Sequence, residues 1–163
     1  MLDSLLTHKC TLVPKHFFDP SAAEDALREV VKLDGNDNVK YVDVPQYDAV
    51  LVYSDYDSIS GGHSEALPEM LFILKDLAQC REYNKIVASY CDGILYLAIA
   101  QGKSLMLANT YKAQDFVTAE YFIFLAMKSL QLNPEVSTIC WRSPVGKEDE
   151  LSLYRYFKAV EQI

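Results

Sequence analysis

The fold of this chain is decided by residues 85–111, whose sequence is KIVASYCDGILYLAIAQGKSLMLANTY. Runs of β-forming residues alternate there with turn signals, in the order 85–90, Asp92-Gly93, 94–100, Gln101-Gly102 and 104–111. Asp-Gly between such runs is a strong hairpin signal, because glycine supplies the positive φ that a twist-matched turn needs. An apolar helix is predicted to follow, over residues 114–132. The stretch predicts a three-stranded meander that leads into a crossover helix. This pattern predicts a fold and does not identify a function.

The remaining sequence alternates between strand and helix signals. Strands are predicted at 10–13, 39–44, 47–53 and 135–141, and further helices at 21–32, 66–80 and 148–163. Asp19-Pro20 marks a helix start, since it combines an N-cap with proline at the first helical position. The helix at 114–132 is apolar on nearly all sides, so we expect a sheet against one side and other elements against the other.

The predicted order is β-α-β-β-α followed by β-β-β-α-β-α, which is typical of an α/β fold with a mixed sheet and flanking helices. A boundary near residues 79–84 divides the chain into two lobes, residues 1–82 and residues 83–163. Each lobe ends in a strand, a loop and a helix, and the second reads as a compact unit of its own.

Composition excludes several classes of function. The chain has 163 residues, and its 23 acidic residues against 15 basic ones give a net charge of −8. The basic residues are scattered, so we expect no nucleic-acid binding and no attachment to an anionic membrane surface. The N-terminus lacks the basic start and long apolar run of a secretory signal, and the most apolar run, residues 121–127, is too short to span a bilayer.

The four cysteines, at positions 10, 80, 91 and 140, show no paired C-x-x-C spacing. Reduced, packed thiols in a cytoplasmic protein are therefore favoured over a disulfide framework or a zinc site.

The order of the second half, together with residues 11–19, 47–53 and 93–111, resembles an uncharacterised bacterial family with the ribonuclease-H-like, actin-like ATPase fold. The resemblance implies two incomplete lobes, each with a mixed sheet and flanking helices. It places the start of this chain near the third strand of the fold. The first hairpin, whose turn carries one of the two phosphate loops, is therefore expected to be absent.

The same resemblance locates the second phosphate loop at Tyr90 to Gly93. Active members use an acidic residue and several glycines there, so that backbone N–H groups approach phosphate and the carboxylate orders Mg²⁺-bound water. Asp92 and Gly93 supply the minimum of this pattern, and Arg142 to Gly146 stand where a glycine pair for adenosine is expected. The resemblance thus implies no active ATPase. The alternative is a nucleotide-binding protein that holds ATP with Mg²⁺ near Asp92, Gly93, Arg142 and Gly146.

Other candidate sites are weaker. His8 and Cys10 have a spacing that two zinc ligands could use, but no third ligand accompanies them, which favours an ordinary strand. The segment Gly61-Gly62-His63-Ser64 could cradle an anion at a helix N-terminus, but the acidic residues on either side favour a plain loop.

Four tyrosines, at positions 53, 56, 83 and 90, fall at predicted strand ends and loops. They could mark a protein interface, although half-buried positions at the rim of the core explain them as well. The sequence favours a non-catalytic actin-like-fold protein that acts by binding or assembly, with a protein partner or a second copy of itself. A sheet edge left open by the absent hairpin would invite such pairing.

Overall fold

The computed structural model describes residues 3–163. Its strands are β1 (Cys10–Pro14), β2 (Val39–Val44), β3 (Ala49–Ser54), β4 (Tyr56–Asp57), β5 (Gly62–His63), β6 (Asn84–Cys91), β7 (Ile94–Gln101), β8 (Ser104–Lys112), β9 (Thr138–Trp141) and β10 (Ala159–Gln162). The α-helices are α1 (Ala23–Arg28), α2 (Glu69–Gln79), α3 (Phe116–Ser129) and α4 (Lys147–Tyr154), and short 3₁₀ turns lie at Lys15–Phe17, Pro20–Ala22, Pro45–Tyr47 and Pro134–Val136.

The predicted meander is confirmed by β6, β7 and β8, which pair antiparallel in sequence order. Cys91 pairs with Ile94, so the first turn consists of Asp92 and Gly93 alone. Both turn residues have positive φ, 50° and 73°. This is the geometry of the two-residue turn whose twist matches that of the strands.

The meander belongs to a five-stranded sheet in the order β10-β9-β6-β7-β8. The pairs β6–β9 and β9–β10 are parallel, so the mixed sheet expected here is confirmed. The prediction of a helix over residues 148–163 is wrong beyond Tyr154. From Ala159 the chain is instead a strand, because β9 offers an open edge whose backbone groups it can satisfy and because Val160 packs on the core beneath.

The first sheet has three strands in the order β1-β3-β2, and all of its pairs are antiparallel. The mixed sheet expected in the first lobe is therefore not found among the described residues. Helix α1 packs on one face of this sheet, where Leu27 contacts Val50 and Val52 in one buried cluster. It is shorter than predicted, since residues 20–22 form a 3₁₀ turn and the α-helix ends at Arg28.

Helix α2 lies between the two sheets. Its apolar side chains form one core with residues of both sheets, including Leu51 of β3 and Tyr96 of β7. The buried residues of the helix are Glu69, Met70, Leu71, Ile73, Leu74 and Leu77. Pro68 precedes the helix as its N-cap. Because one helix serves both sheets, the two halves of the chain share a continuous core.

Helix α3 covers the opposite face of the five-stranded sheet. Ala119, Ile123 and Met127 face the sheet and are buried. Other elements cover part of its second side, since Ser152 of α4 donates to Glu120 and Phe157 packs beside Phe124. The side that bears Val117, Tyr121 and Leu125 is exposed. None of the helices within residues 3–163 has the length and apolarity needed to cross a bilayer.

Candidate functional site

The turn between β6 and β7 is the place where a phosphate loop was expected. A two-residue turn presents only the backbone N–H groups of Asp92 and Gly93, whereas a phosphate-binding loop converges several such groups on one anion. The carbonyl of Gly93 accepts from the backbone N–H of Ala113 at 2.9 Å, which fixes the turn against the end of β8. The turn is built to close a hairpin.

An open pocket of about 560 Å³ lies beside this turn. It is lined by Asp92, Gly93, Ile94, Lys112, Ala113, Gln114 and Thr118. Lys112 brings a cation to the pocket and Asp92 a carboxylate. At the nearby start of α3, Asp115 accepts from the backbone N–H of Thr118 at 2.8 Å and from its hydroxyl at 2.6 Å. These bonds lower the pKa of Asp115, so a carboxylate already occupies the helix N-terminus.

Arg142 does not line that pocket. Its guanidinium donates to both carboxylate oxygens of Glu69, from Nε at 2.9 Å and from Nη2 at 3.1 Å, and its Nη1 lies 3.4 Å from Asp76. The guanidinium also lies over the ring of Phe72, 5.0 Å from the centroid. Gly146, the other residue of this predicted set, is the N-cap of α4. The structure therefore keeps Asp92 and Gly93 together and commits Arg142 to a different group of residues.

Glu69 lies at the centre of this group, which we call the ionic junction. Its members are Ser4, Glu69, Asp76, Ser89 and Arg142. The hydroxyl of Ser4 donates to one oxygen of Glu69 at 2.6 Å, and that of buried Ser89 donates to the other at 2.5 Å. Glu69 is fully buried, so each of its oxygens has two donors and no solvent. Such a carboxylate acts as a hydrogen-bond acceptor for its four donors.

The ionic junction joins four parts of the fold. Glu69 and Asp76 belong to α2, Ser89 to β6, and Arg142 follows β9 directly. The segment that contains Ser4 is held beside the start of α2 through its neighbour Leu5. The N–H of Leu5 donates to the carbonyl of Leu67, and the carbonyl of Leu5 accepts from the N–H of Glu69. The arrangement fixes the helix between the sheets, which is a structural role.

A second polar cluster lies at the end of β3. Asp55 is almost fully buried and accepts from Lys40 and Asn38, each at 3.0 Å, while its other oxygen lies 2.7 Å from Nδ1 of His63. Burial by itself would raise the pKa of Asp55, but these hydrogen bonds hold the pKa below its ordinary value. The Asp55 carboxylate is thus bound by lysine, asparagine and histidine side chains, as is typical of a buried acid with a structural role.

The segment Gly61 to Ser64 does not open a helix, since α2 begins only at Glu69. It belongs to the small β4–β5 hairpin, in which Tyr56 pairs with His63. Gly61 has a φ of 74° and donates its N–H to the carbonyl of Asp57, as a tight turn requires. The plain loop that the sequence favoured is thus a hairpin turn.

His8 precedes β1, and Cys10 is the first residue of that strand. Burial raises the pKa of Cys10 to about 12, which makes it a poor metal ligand near neutral pH. Within residues 3–163 no three His, Cys, Asp or Glu side chains converge in a group that could hold a metal ion.

The four tyrosines of the predicted interface are not brought together. Tyr53 is buried in the first sheet, while Tyr56 lies in the small hairpin. Tyr83 is exposed just before β6, and Tyr90 lies at the far end of that strand, where its hydroxyl donates to the carbonyl of Ala113 at 2.6 Å. Among the four, only Tyr83 presents a largely free side chain.

The outward side of α3 carries a different apolar surface. Val117, Tyr121 and Leu125 are 74%, 59% and 48% exposed, and their spacing of four residues aligns them along one ridge, which we call the α3 ridge. An open apolar groove of about 510 Å³ lies beside the C-terminal end of this helix. It is lined by Phe124, Lys128, Gln131, Leu132, Asn133, Pro134 and Tyr156. Contiguous exposed apolar surface of this kind is typical of an interaction site.

Two sequence signals could have identified these residues in advance. Glu69 and Asp76 stand seven residues apart on an otherwise apolar helical face, a spacing that lets one cation meet both. The predicted helix at 114–132 was apolar on all sides, although the chain offered few further elements to cover it. An uncovered apolar side indicates a surface for another molecule.

A comparison with a solved structure agrees with this architecture. A crystal structure from Bacteroides thetaiotaomicron, described as a protein with actin-like ATPase fold and unknown function, superposes with a TM-score of 0.78 at 17% identity. The match covers 97% of this chain and 66% of that one, so this chain spans slightly less than two thirds of its length. A PilM–PilN type IV pilus biogenesis complex matches at a TM-score of 0.48 and 13% identity, over 94% of this chain and 65% of that one.

The actin-like ATPase fold expected from the resemblance is therefore confirmed. No curated protein sequence is detectably similar to the chain. Residues 5–160 match a family described as protein of unknown function (DUF3822), and the chain belongs to that family.

Proposed function

We propose that this chain is a non-catalytic binding module with an actin-like fold, and that it docks a segment of a protein partner along the α3 ridge. The observation that carries the proposal is the row of large apolar side chains on the outward side of α3. Covering the exposed part of each of them would contribute roughly 1 kcal/mol. Three such side chains and the adjacent groove make a contact large enough to anchor a partner peptide.

The charge around the groove indicates the chemistry of the partner. The chain as a whole carries a net charge of −8. Residues 124–135 and 154–158, which surround the groove, carry instead the three cations Lys128, Arg155 and Lys158 against the single carboxylate Glu135. The backbone N–H of Lys158 bonds to the carbonyl of Pro134, which brings this lysine to the groove. The expected partner is an amphipathic segment with apolar anchors and flanking acidic residues.

The absence of catalysis is part of the same proposal. The expected phosphate loop is reduced to Asp92 and Gly93, and the guanidinium of Arg142 is held by Glu69. The carboxylates of Glu69 and Asp55 each already accept hydrogen bonds from several side chains. These features support a protein that works by holding a partner.

The test is selection of peptides from a random display library on the folded wild-type chain. We expect the selected peptides to be apolar with acidic flanks and to lose at least tenfold in affinity for a Leu125→Lys variant. Ile59→Lys is the control, because Ile59 is also an exposed aliphatic residue but lies between β4 and β5, away from α3. Equal affinity for the wild type and for Leu125→Lys, or the absence of any selected peptide, would refute the proposed docking site.

Light scattering of the same proteins distinguishes a second copy of the chain from a different partner. If the wild type dimerises and Leu125→Lys is a monomer, then the α3 ridge serves self-association and the partner peptide is excluded. If both are monomers and peptides bind only the wild type, the proposal is supported.

The alternative function is nucleotide binding without efficient hydrolysis, and the pocket beside Asp92 favours it. Lys112 could contact phosphate, and the Asp92 carboxylate could order the water around Mg²⁺. Against it, Asp115 places a negative charge at the start of α3. Thermal unfolding with millimolar Mg²⁺-ATP tests it, since a ligand at about 100 times its dissociation constant stabilises by about 2.7 kcal/mol. The alternative predicts a rise of several degrees that Lys112→Ala abolishes and Lys103→Ala does not; an unchanged midpoint rejects it.

A further inference from the structure

Cys80 and Cys140 line one pocket of about 350 Å³ beside the five-stranded sheet. Cys80 follows the last residue of α2, and Cys140 lies within β9. Both side chains pack in the same apolar cluster beneath the sheet. The other residues around the pocket are mostly polar, namely Asp76, Gln79, Arg81, Glu82, Thr138, Glu161 and Ile163. The two thiols, 60 residues apart in the sequence, are therefore neighbours at a site that small polar molecules can enter.

The two thiols differ in acidity. The neighbouring Cys140 thiol lowers the pKa of Cys80, against the opposing effect of burial, and Lys85 adds to the lowering. The pairing with Cys80 and burial together raise the pKa of Cys140. The Sγ atom of Cys80 also lies 3.4 Å from the carbonyl of Asp76, and that of Cys140 lies 3.9 Å from the Glu161 carboxylate. Cys80 is thus the thiol that ionises first, with the second thiol held beside it.

The remaining cysteines have no such arrangement. Burial raises the pKa of Cys10 and also that of Cys91, and neither thiol lines the pocket. They provide internal controls with the same chemistry at positions that do not line the pocket.

We propose that Cys80 and Cys140 form a reversible disulfide when the folded chain meets hydrogen peroxide. The Cys80 thiolate attacks one peroxide oxygen, which forms an S–O bond, breaks the O–O bond and releases hydroxide that is protonated to water. The sulfur of Cys140 then attacks the sulfenic sulfur of Cys80. The S–S bond forms, the S–O bond breaks, and the leaving hydroxide takes the Cys140 proton as a second water. Two thiols and one peroxide thus give one disulfide and two waters.

The bond would fix the end of α2 to β9. The start of the same helix is already bound to Arg142, immediately after β9, through Glu69. Asp76 contacts that arginine and also lines the cysteine pocket, so the two attachments are adjacent. Oxidation would tie α2 to the five-stranded sheet at both ends. It would also close a loop from residue 80 to residue 140 in the unfolded chain, which favours the folded state.

The experiment treats the folded wild-type chain with hydrogen peroxide, blocks the remaining thiols and maps tryptic peptides by mass spectrometry. Cleavage at Lys75, Arg81, Lys128 and Arg142 places Cys80 in peptide 76–81 and Cys140 in peptide 129–142. We expect these two peptides linked, with the loss of two hydrogens, in the wild type and in Cys91→Ser but not in Cys80→Ser or Cys140→Ser. The oxidised wild type should unfold several degrees higher, and dithiothreitol should reverse the shift.

The proposal is overturned if both thiols stay free after peroxide treatment, or if Cys80 is oxidised alone without the linked peptide. It is also overturned if the linked peptide forms only in denaturant, because the folded geometry would then not be its cause. These outcomes are read from the wild-type chain itself, so a serine variant that fails to fold does not affect the decision.

Discussion

Both carboxylate oxygens of Glu69 accept hydrogen bonds from the guanidinium of Arg142, at 2.9 and 3.1 Å. The carboxylate is fully buried and the arginine side chain is 19% exposed. This pair joins the first residue of the helix between the sheets to the residue that follows β9. It therefore connects the two halves of the fold by charge, in addition to their shared apolar core.

Arg142→Met should destabilise the chain strongly, because it leaves the Glu69 carboxylate buried without its cation. Loss of one partner of a buried pair typically costs about 3–5 kcal/mol. Urea unfolding would measure the free energy directly. Lys15→Met is the matched control, since the Lys15–Asp43 pair at 3.1 Å is exposed and should contribute little. An Arg142→Met loss no larger than that of the control would show that the ionic junction does not hold the sheets together.

Gly93→Ala should weaken the β6–β7 hairpin through backbone conformation alone. A Cβ at this position would lie 3.7 Å from the nearest atom, the carbonyl oxygen of Ala113, so there is no clash. The φ of 73° remains unfavourable for alanine, at a cost of roughly 1–2 kcal/mol. Gly35→Ala, where φ is ordinary and space is open, is the control for thermal unfolding. Equal midpoints for the two variants would contradict this account of the turn.

Asp55→Asn should make the free energy of unfolding depend less on pH in the acid range. The pKa of Asp55 is lowered in the folded state, so its stabilisation is complete above the unfolded-state pKa of about 3.9 and is lost as the pH falls through the lower folded-state pKa. We expect the variant to be less stable than the wild type at neutral pH and the difference to shrink below about pH 4. Urea unfolding from pH 2.5 to 7 would test it, with Asp48→Asn at an exposed position as the control.

Glu120→Gln should stabilise the chain at neutral pH. Burial raises the pKa of Glu120, although the hydroxyl of Ser152 donates to its carboxylate at 2.8 Å. A raised pKa means that the folded state binds the Glu120 proton more tightly than the unfolded state does. The stability of the wild type therefore falls as the pH rises above about 4.3 and through the folded-state pKa. Glutamine stays neutral and can still accept from Ser152.

We expect the Glu120→Gln midpoint to exceed that of the wild type by a few degrees at pH 7 and to equal it near pH 4. Glu135→Gln, at an exposed carboxylate, is the control. A Glu120→Gln midpoint below that of the wild type at pH 7 would mean that the charged carboxylate stabilises the fold.

The elements that the sequence predicted well are those whose conformation depends on residues close together in the sequence. Asp92-Gly93 closed a two-residue turn because both residues tolerate the left-handed conformation that this turn requires. The strands on either side follow from their unbroken β-forming residues, and β2 matches its predicted bounds because polar and apolar residues alternate along it.

The wrong predictions concern segments whose partners are distant in the sequence. Val160 continues the helical spacing of Leu153 and Phe157. Residues 159–162 nevertheless form a strand, because β9 presents an open parallel edge beside them. The nucleotide site that would include Arg142 stays a prediction; in the structure, the guanidinium of Arg142 binds the buried carboxylate of Glu69, which lies 73 residues earlier.

By itself, the sequence determined the meander of β6, β7 and β8, the helix after it and the α/β class, since turns and short-range periodicity act within a few residues. The tertiary structure alone decided that Glu69 pairs with Arg142, that Cys80 and Cys140 line one pocket and that the described residues leave the α3 ridge uncovered. Each of these depends on which surfaces the packed sheets and helices bring together or leave free. Residues tens of positions apart encode such contacts jointly, through the shape and charge of the whole fold.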